Sequence, residues 1–284
     1  MNTLFFWEQV GGLSLAHRCN PYAGLLDQAL HPHDVHLELG DYGFSRAWLE
    51  AQRPTHDVLH FNWLHAFYRR DDLPSTVAAF HDFSENLHVA RQLGYRIVWT
   101  LHNLYPHERP FPRIDHLARL LVADQADVVL AHCEHAADLA RKRFYCQNVR
   151  VVPHGNFIDV FPNDLTKAEA RTRLGLGVDD FVYLFFGNAR AYKAIEVLID
   201  AFASLRAEDA VLGLMMRDAF DPAYGRRLTE LAGSRGGSVR VWTSSFFAAE
   251  EFQVYLNSAD VVVLPFSEVL TSGSAITALG FGCP

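Results

Sequence analysis

The amino-acid sequence predicts an α/β protein with two doubly wound domains, each built around its own parallel sheet. Three observations predict it. Ten short apolar runs, rich in β-branched and aromatic residues, recur along the 284 residues. Segments of helical length separate them. One stretch without such a run, residues 156–180, divides the first six from the last four. Runs of four to six residues that are apolar on both faces suit strands buried between helix layers. Their alternation with helices is the pattern of βα units.

The elements run in order along the chain. Residues 4–7 are the first strand, followed by the glycine pair Gly11 and Gly12. Asn20, Pro21 and Tyr22 then lead into a helix carrying Leu25, Leu26 and Leu30. Runs 35–39, 58–61, 97–101, 128–131 and 149–152 supply the remaining strands of the first sheet. In the middle stretch Thr166 precedes KAEARTRLGLG, a short helix stopping at Gly175,. The break falls near 162–166, giving domains 1–164 and 165–284. Runs 181–186, 211–216, 239–242 and 261–264 form the second sheet. Ile195, Leu198, Ile199, Phe202 and Leu205 lie on one helical stripe,. Phe247, Phe252, Tyr255 and Leu256 flank a helix with Glu250 and Glu251, and a last helix covers 275–280. Four strands are few for a doubly wound sheet, and the chain stops at Gly282-Cys283-Pro284. The second domain is therefore expected to be incomplete, since a bare sheet edge is sticky unless covered.

Composition excludes several classes. The chain is 50% hydrophobic and 20% charged, with mean hydropathy near zero, as in a globular protein. With 25 Lys and Arg against 33 Asp and Glu the formal charge is −8. That argues against a nucleic-acid partner, and allows at most weak peripheral contact with a membrane. The run Arg141, Lys142, Arg143 reads as a solvated helix end. The four cysteines form no CxxC pair, so no disulfide framework is expected. The start MNTLFFWEQVGG lacks the basic, long apolar pattern of a signal peptide, and no apolar run reaches bilayer length,. A cytoplasmic protein, at most peripheral to the inner face of the membrane, is expected.

Four constellations can carry chemistry. In FFGNARAYK (185–193) a buried strand runs through Gly187 and Asn188 and then supplies Arg190 and Lys193 before an amphipathic helix. Two cations at a strand's C-terminal end suit a diphosphate; two solvated loop cations are the plain alternative. Thr271, Ser272, Gly273 and Ser274 follow a strand and open a helix, where small residues let a phosphate or sugar approach free N–H groups,. An ordinary Ser cap is the commoner meaning of such a stretch. His102 and Asn103 leave a buried strand, with Pro106, His107 and Glu108 beyond, and His102 is placed to donate to an oxyanion or a sugar hydroxyl,. Gly11 and Gly12 lack the third spaced glycine of a dinucleotide fingerprint, and GxxxxGK and GxSxG are absent. His31, His33 and His36, and His132, Cys133 and His135, have no established metal spacing. No metal site is assigned.

Taken in order, VWTLHNLYPHE (98–108), ADVVLAHCEHAADLA (126–140), VVPHGNF (151–157), FGNARAYKAIEVLIDAF (186–202) and ADVVVLPFSEVLTSGSAITALGFGCP (259–284) resemble the retaining glycosyltransferases of the GT-B type around glycosyltransferase family 4. The resemblance implies two Rossmann-like domains with a cleft between them, the first binding the acceptor and the second the nucleotide-sugar donor. By it Arg190 and Lys193 hold the donor diphosphate, and the loop with Thr271, Ser272, Gly273 and Ser274 lies under the phosphate and sugar. Gly11 and Gly12 face the donor, and His102 stands near the transferred sugar. Such enzymes generally need no metal, because Arg, Lys and a helix N-terminus stabilise the leaving diphosphate.

The sequence also departs from the family. Where its members carry Glu-x7-Glu, this chain has Val269 and Thr277, with Glu268 one residue out of register. The usual Lys-Gly is Lys193-Ala194, expected only to tighten the loop. The implied activity is transfer of a hexose from a UDP- or GDP-sugar to a hydroxyl of a glycan or lipid-linked acceptor, with retention. The rivals are a catalytically impaired nucleotide-sugar-binding module and a sugar-nucleotide epimerase on the same fold.

Overall fold

The computed structural model describes residues 1–7, 12–15, 20–205 and 209–284. It divides into two units, Met1–Gly155 and Asn156–Pro284. The sequence break at 164/165 therefore lies inside the second unit. Phe161 stacks on Phe252 at 5.0 Å, and the Asp164 and Leu165 amides donate to the Gln253 side chain, so residues 161–165 pack within the second unit.

In the first unit, β1 (Asn2–Phe6), β2 (His36–Leu39), β3 (Val58–Phe61), β4 (Arg96–Leu101), β5 (Val128–Ala131) and β6 (Val149–Val151) form one sheet. Its order is β2-β1-β3-β4-β5-β6, all parallel. The connecting helices are α1 (Tyr22–Leu30), α2 (Arg46–Gln52), α3 (His65–Tyr68), α4 (Leu73–Gln92), α5 (Pro112–Gln125) and α6 (Glu134–Phe144). Phe5, Phe6, Leu59, Phe61, Ile97, Trp99 and Leu101 are buried, as expected of strands covered on both faces,. Arg141, Lys142 and Arg143 lie in the last turn of α6, and Arg141 pairs with Asp138.

The second unit opens with α7 (Lys167–Leu174), which has a Thr166–Glu169 capping box and ends at Gly175 in a left-handed conformation,. Its sheet has β7 (Phe181–Asn188), β8 (Ala210–Arg217), β9 (Val239–Ser244) and β10 (Val261–Val262), in the parallel order β10-β7-β8-β9. Helices α8 (Ile195–Leu205), α9 (Pro222–Ser234), α10 (Phe252–Leu256) and α11 (Gly273–Gly280) connect and cover it. All ten sequence-predicted strands are present. β10 is the shortest, covering two residues of the run 261–264. No described helix is long and apolar enough to cross a membrane.

The two sheets repeat one device. An Ala-Asp-Val-Val run enters β5 at Ala126 and β10 at Ala259. Asp127 accepts from the Ile97 amide at 2.8 Å and pairs with Arg91 and Arg96. Asp260 accepts from the Val182 amide at 2.7 Å and pairs with Arg171 and Lys167. Each carboxylate clamps two strands at their N-terminal ends, the end that reads as structural in an α/β sheet. Burial raises both carboxyl pKa values, but the hydrogen bonds and neighbouring cations outweigh it and hold each below the usual range,.

Because the folded pKa is depressed, the stabilisation is present above about pH 4 and is lost as pH falls through the lower folded value. Asp260→Ala should cost about 2 kcal/mol at pH 7, leaving a buried amide and Arg171 without their acceptor. Urea unfolding at pH 7 and again near pH 3 checks this: the deficit should shrink at the lower pH.

Candidate functional site

Both sheets have a topological switch point, where successive connections leave in opposite directions and a crevice opens outside the carboxyl ends of the strands. In the second unit it lies between β7 and β10. The loops leaving those strands carry the sequence-predicted cations and the Ser-Gly-Ser stretch. They are tied together, since the Ser267 amide and hydroxyl both donate to the Tyr192 carbonyl at 2.9 Å.

Gly187 lies at the end of β7 with φ +134. A Cβ there would run into the Lys193 ammonium and lie 3.5 Å from Ser274 Oγ, so the strand end, Lys193 and Ser274 converge on one point. Only glycine admits both that backbone and that approach.

Lys193 is 5% exposed. Its ammonium sits over the rings of Phe266 at 4.9 Å and Phe185 at 5.7 Å. Among the described residues no carboxylate pairs with it. Burial, and then the charge of Arg190, lower its pKa from the usual lysine value to about 8. Arg190 lies over the Phe220 ring at 4.2 Å. The two solvated loop cations weighed from the sequence are thus a buried ammonium and a stacked guanidinium beside a glycine strand end. Asn188 ends β7 opposite Arg217 of β8.

The Ser-Gly-Ser stretch combines both readings the sequence offered. Ser272 is an ordinary N-cap, its hydroxyl accepting from the Ala275 amide at 3.1 Å. Ser274 nevertheless reaches the Gly187–Lys193 point. Thr271 lies in the same loop, half-buried, and Glu268 is exposed on it.

In the first unit the switch point lies between β1 and β3. Trp7 follows β1, Tyr22 opens α1, Asn62 and Trp63 follow β3, and His102, His132 and His154 follow β4, β5 and β6. Their rings form one continuous cluster. His102 stacks on Trp63 at 4.8 Å and meets Tyr22 at 4.9 Å, His132 at 5.4 Å and Trp7 at 5.8 Å.

His102 Nε2 donates to Asn62 Oδ1 at 2.8 Å, and Asn62 is oriented by its own bond to the Phe6 carbonyl. Burial, with the neighbouring histidines, holds the His102 pKa well below the usual value, so the ring is neutral. Beneath it, His60 bonds Thr100 at 2.7 Å, and burial lowers its pKa to about 3.

Gly12 is in a left-handed turn with φ +54, and Gly11 lies outside the described residues. Trp7, Trp63 and His132 were not singled out as binding residues from sequence. They occur singly, and only the sheet order brings them together. His31 and His36 make an edge contact at 4.8 Å, while Cys133 caps α6 and His135 is exposed. Among the described residues no group of three His, Cys, Asp or Glu is placed to hold a metal ion.

Known proteins share this fold. The whole chain superposes on sucrose-phosphate synthase from Thermosynechococcus elongatus with a TM-score of 0.73 at 18% identity, covering 79% of that chain. It superposes on Anabaena HepE, solved with UDP and glucose, with a TM-score of 0.66 at 18% identity, again covering 79% of that chain. In sequence it is 27% identical over 245 residues to GDP-mannose:glycolipid 4-beta-D-mannosyltransferase of Xanthomonas campestris pv. campestris. That alignment takes 83% of this chain and 62% of the relative.

The chain has the GT-B fold, and the curated proteins it resembles in sequence are glycosyltransferases. A D-inositol 3-phosphate glycosyltransferase of Geodermatophilus obscurus is 37% identical over 190 residues, 62% of this chain and 41% of that protein. The chain thus spans less than two thirds of the length of these curated relatives. No protein-family model matches it. Within the GT-B frame the cations and the Ser-Gly-Ser loop stand at the second unit's switch point, and His102 stands at the first unit's.

One expectation is corrected. Ala194, in place of the usual glycine, does not simply tighten the loop: it holds φ +50, a left-handed backbone, while its carbonyl starts α8. A Cβ in that region costs roughly 1 kcal/mol. Ala194→Gly should therefore stabilise the protein by about 0.5–1 kcal/mol in denaturant unfolding, glycine's own chain entropy taking back part of the gain. An unchanged or lower midpoint would contradict a strained Ala194.

Proposed function

We propose that this protein transfers a hexose from a UDP- or GDP-sugar to a hydroxyl of a glycan or lipid-linked acceptor. The second unit takes the donor and the first the acceptor. One observation carries this reading: an almost fully buried ammonium, Lys193, without an anionic partner among the described residues, at the switch point of a parallel sheet. Burying an unpaired cation is costly, and the arrangement makes sense when the partner arrives with the substrate. A nucleoside diphosphate supplies that charge. The relative's GDP-mannose and the UDP held by HepE are of this class.

In the proposed reaction the bond between the sugar's anomeric carbon and the diphosphate oxygen breaks, its electron pair leaving with the diphosphate. Lys193 and Arg190 stabilise that charge. A unit charge 4 Å away is worth roughly 4 kcal/mol at an effective dielectric of 20. The loop with Glu268, Thr271, Ser272, Gly273 and Ser274 is assigned to the donor phosphate and sugar, with first-turn amides of α11 as further donors. Gly187 and Asn188 shape the strand end beneath the phosphates, and Gly12 belongs to the glycine loop of the first unit. His102, neutral, serves a sugar hydroxyl rather than a phosphate. The acceptor oxygen then attacks with retention, its proton passing to the departing phosphate, and no metal is required.

Titration calorimetry with UDP, GDP and ADP tests the donor site. One nucleotide should bind, and Arg190→Ala and Lys193→Ala should each weaken it by about 10- to 100-fold. Affinity should fall as pH rises through about 8, where free Lys193 loses its proton, and Lys193→Ala should be flat there. A wild-type protein that unfolds cooperatively yet binds no nucleotide would refute the reading. Binding without transfer to any acceptor would leave the impaired-module alternative.

The crowding at Gly187 gives a second check. Gly187→Ala should weaken nucleotide binding as much as Lys193→Ala does, because the added methyl occupies the ammonium's place.

A further inference from the structure

The ring cluster at the first unit's switch point contains two buried polar atoms that find no hydrogen-bond partner among the described residues. One is a donor, Trp7 Nε1, and the other an acceptor, His132 Nε2. His132 Nδ1 and the Val152 carbonyl are 2.8 Å apart. A carbonyl only accepts, so Nδ1 carries the proton and Nε2, on the other side of the ring, is a bare lone pair. Trp7 is 4% exposed and His132 8%. Leaving such a group unpaired when it is buried is costly. Two of opposite polarity in one cluster, joined through Tyr22 (rings at 5.5 Å from Trp7 and 5.6 Å from His132), form a pair that a hydroxyl-bearing ligand satisfies. A hydroxyl is both donor and acceptor.

The rest of the cluster matches one ligand class. Trp63 is half-buried, unlike Trp7, and stacks on His102. The negative face of an aromatic ring attracts the C–H face of a pyranose, and sites of this kind combine aromatic walls with a few placed polar groups. Among the described residues, the ionisable groups packed on His132 are Tyr22, His102 and His154. None supplies a fixed positive charge. Burial holds His102, His132 and His154 below the usual histidine pKa and pushes Tyr22 up to about 12. Among the described residues a phosphate would find no counter-charge here, whereas a neutral polyol needs none.

We propose that Trp7, Tyr22, Trp63 and His132 form a subsite for an uncharged sugar ring, with Trp63 as the stacking face and Trp7 Nε1 and His132 Nε2 bonding ring hydroxyls. This deepens the transferase reading and rests on it: the acceptor carried by the first unit is a neutral glycosyl unit, not a phosphorylated polyol.

The test is saturation-transfer NMR and tryptophan fluorescence on the whole protein with methyl mannoside, methyl glucoside, myo-inositol and myo-inositol phosphate. Nucleotide binding is measured on the same samples. A neutral glycoside should receive saturation, and Trp63→Ala and His132→Phe should each weaken it about tenfold or more. Both variants should keep the nucleotide affinity and a cooperative unfolding transition. His132→Phe retains a ring but no lone pair; should it fail to fold, the half-buried Trp63→Ala still decides.

Undiminished glycoside binding in the variants, no glycoside binding by wild type at roughly 10 mM, or preference for inositol phosphate would each overturn the subsite. Those outcomes leave nucleotide binding untouched, so they are separable from failure of the donor site.

Discussion

Every feature of function proposed for this chain depends on one constraint: parallel strands point their carboxyl ends the same way. A parallel pair needs a crossover, and here each crossover is a helix that covers a sheet face. The amino-terminal edge of each sheet then becomes the place for fastening. The carboxyl edge is where loops are free to carry chemistry. The twin Ala-Asp-Val-Val runs show the fastening, with Asp127 and Asp260 each holding a neighbouring strand's amide and two cations. Both carboxylates stand at the edge opposite the proposed chemistry, and their shifted pKa values are those of structural ion pairs.

At the opposite edges the structure accepts costs. Lys193 is buried with its pKa lowered to about 8, Ala194 holds a left-handed backbone, and Trp7 and His132 hide unpaired polar atoms. The second unit's core close by, including Phe185, Ile195, Ile199, Leu212 and Leu214, shows the usual logic of buried apolar side chains. Local rules are kept in the sheets and broken at the rims. Strained or unpaired groups also occur away from the rims, at Phe44, Tyr145, Arg69 and Asp115 among others, but those at the switch points stand where a ligand could offset their cost,.

The sheets were legible because a buried strand leaves a contiguous apolar run, and all ten runs became strands. The fourth strand of the second sheet shrank to Val261–Val262, since the later residues of its run turn into the loop tied to Tyr192. Arg190, Lys193 and Ser274 were legible through their position after strands. What spacing could not reveal was that Lys193 turns inward under Gly187, or that Ala194 keeps the backbone a glycine would have taken. The proposed sugar subsite was hidden for a different reason. Its members are scattered from residue 7 to residue 132, and none forms a local pattern. His132 and Cys133 were adjacent enough to raise metal chemistry, yet one faces a carbonyl at the rim and the other caps α6. The fifteen histidines, without explanation in the sequence, in part have one here. His60, His102, His132 and His154 belong to a single polar layer, kept neutral by burial, under and around the first switch point.

The two rims therefore differ in electrostatic character, and under the proposed function that difference would sort their ligands. A diphosphate carries charge that must be neutralised as the leaving group forms, so its rim requires fixed cations in a dry setting. A sugar ring is uncharged and is distinguished from competitors by hydroxyl positions. Its rim therefore requires oriented neutral donors and acceptors set in apolar walls. A cationic first rim would compete for the donor's phosphates. A neutral second rim would hold the donor without helping it leave. On the proposed reading, lysine and arginine on one sheet, with neutral histidine and tryptophan on the other, would let one chain bind both substrates without either rim attracting the wrong one.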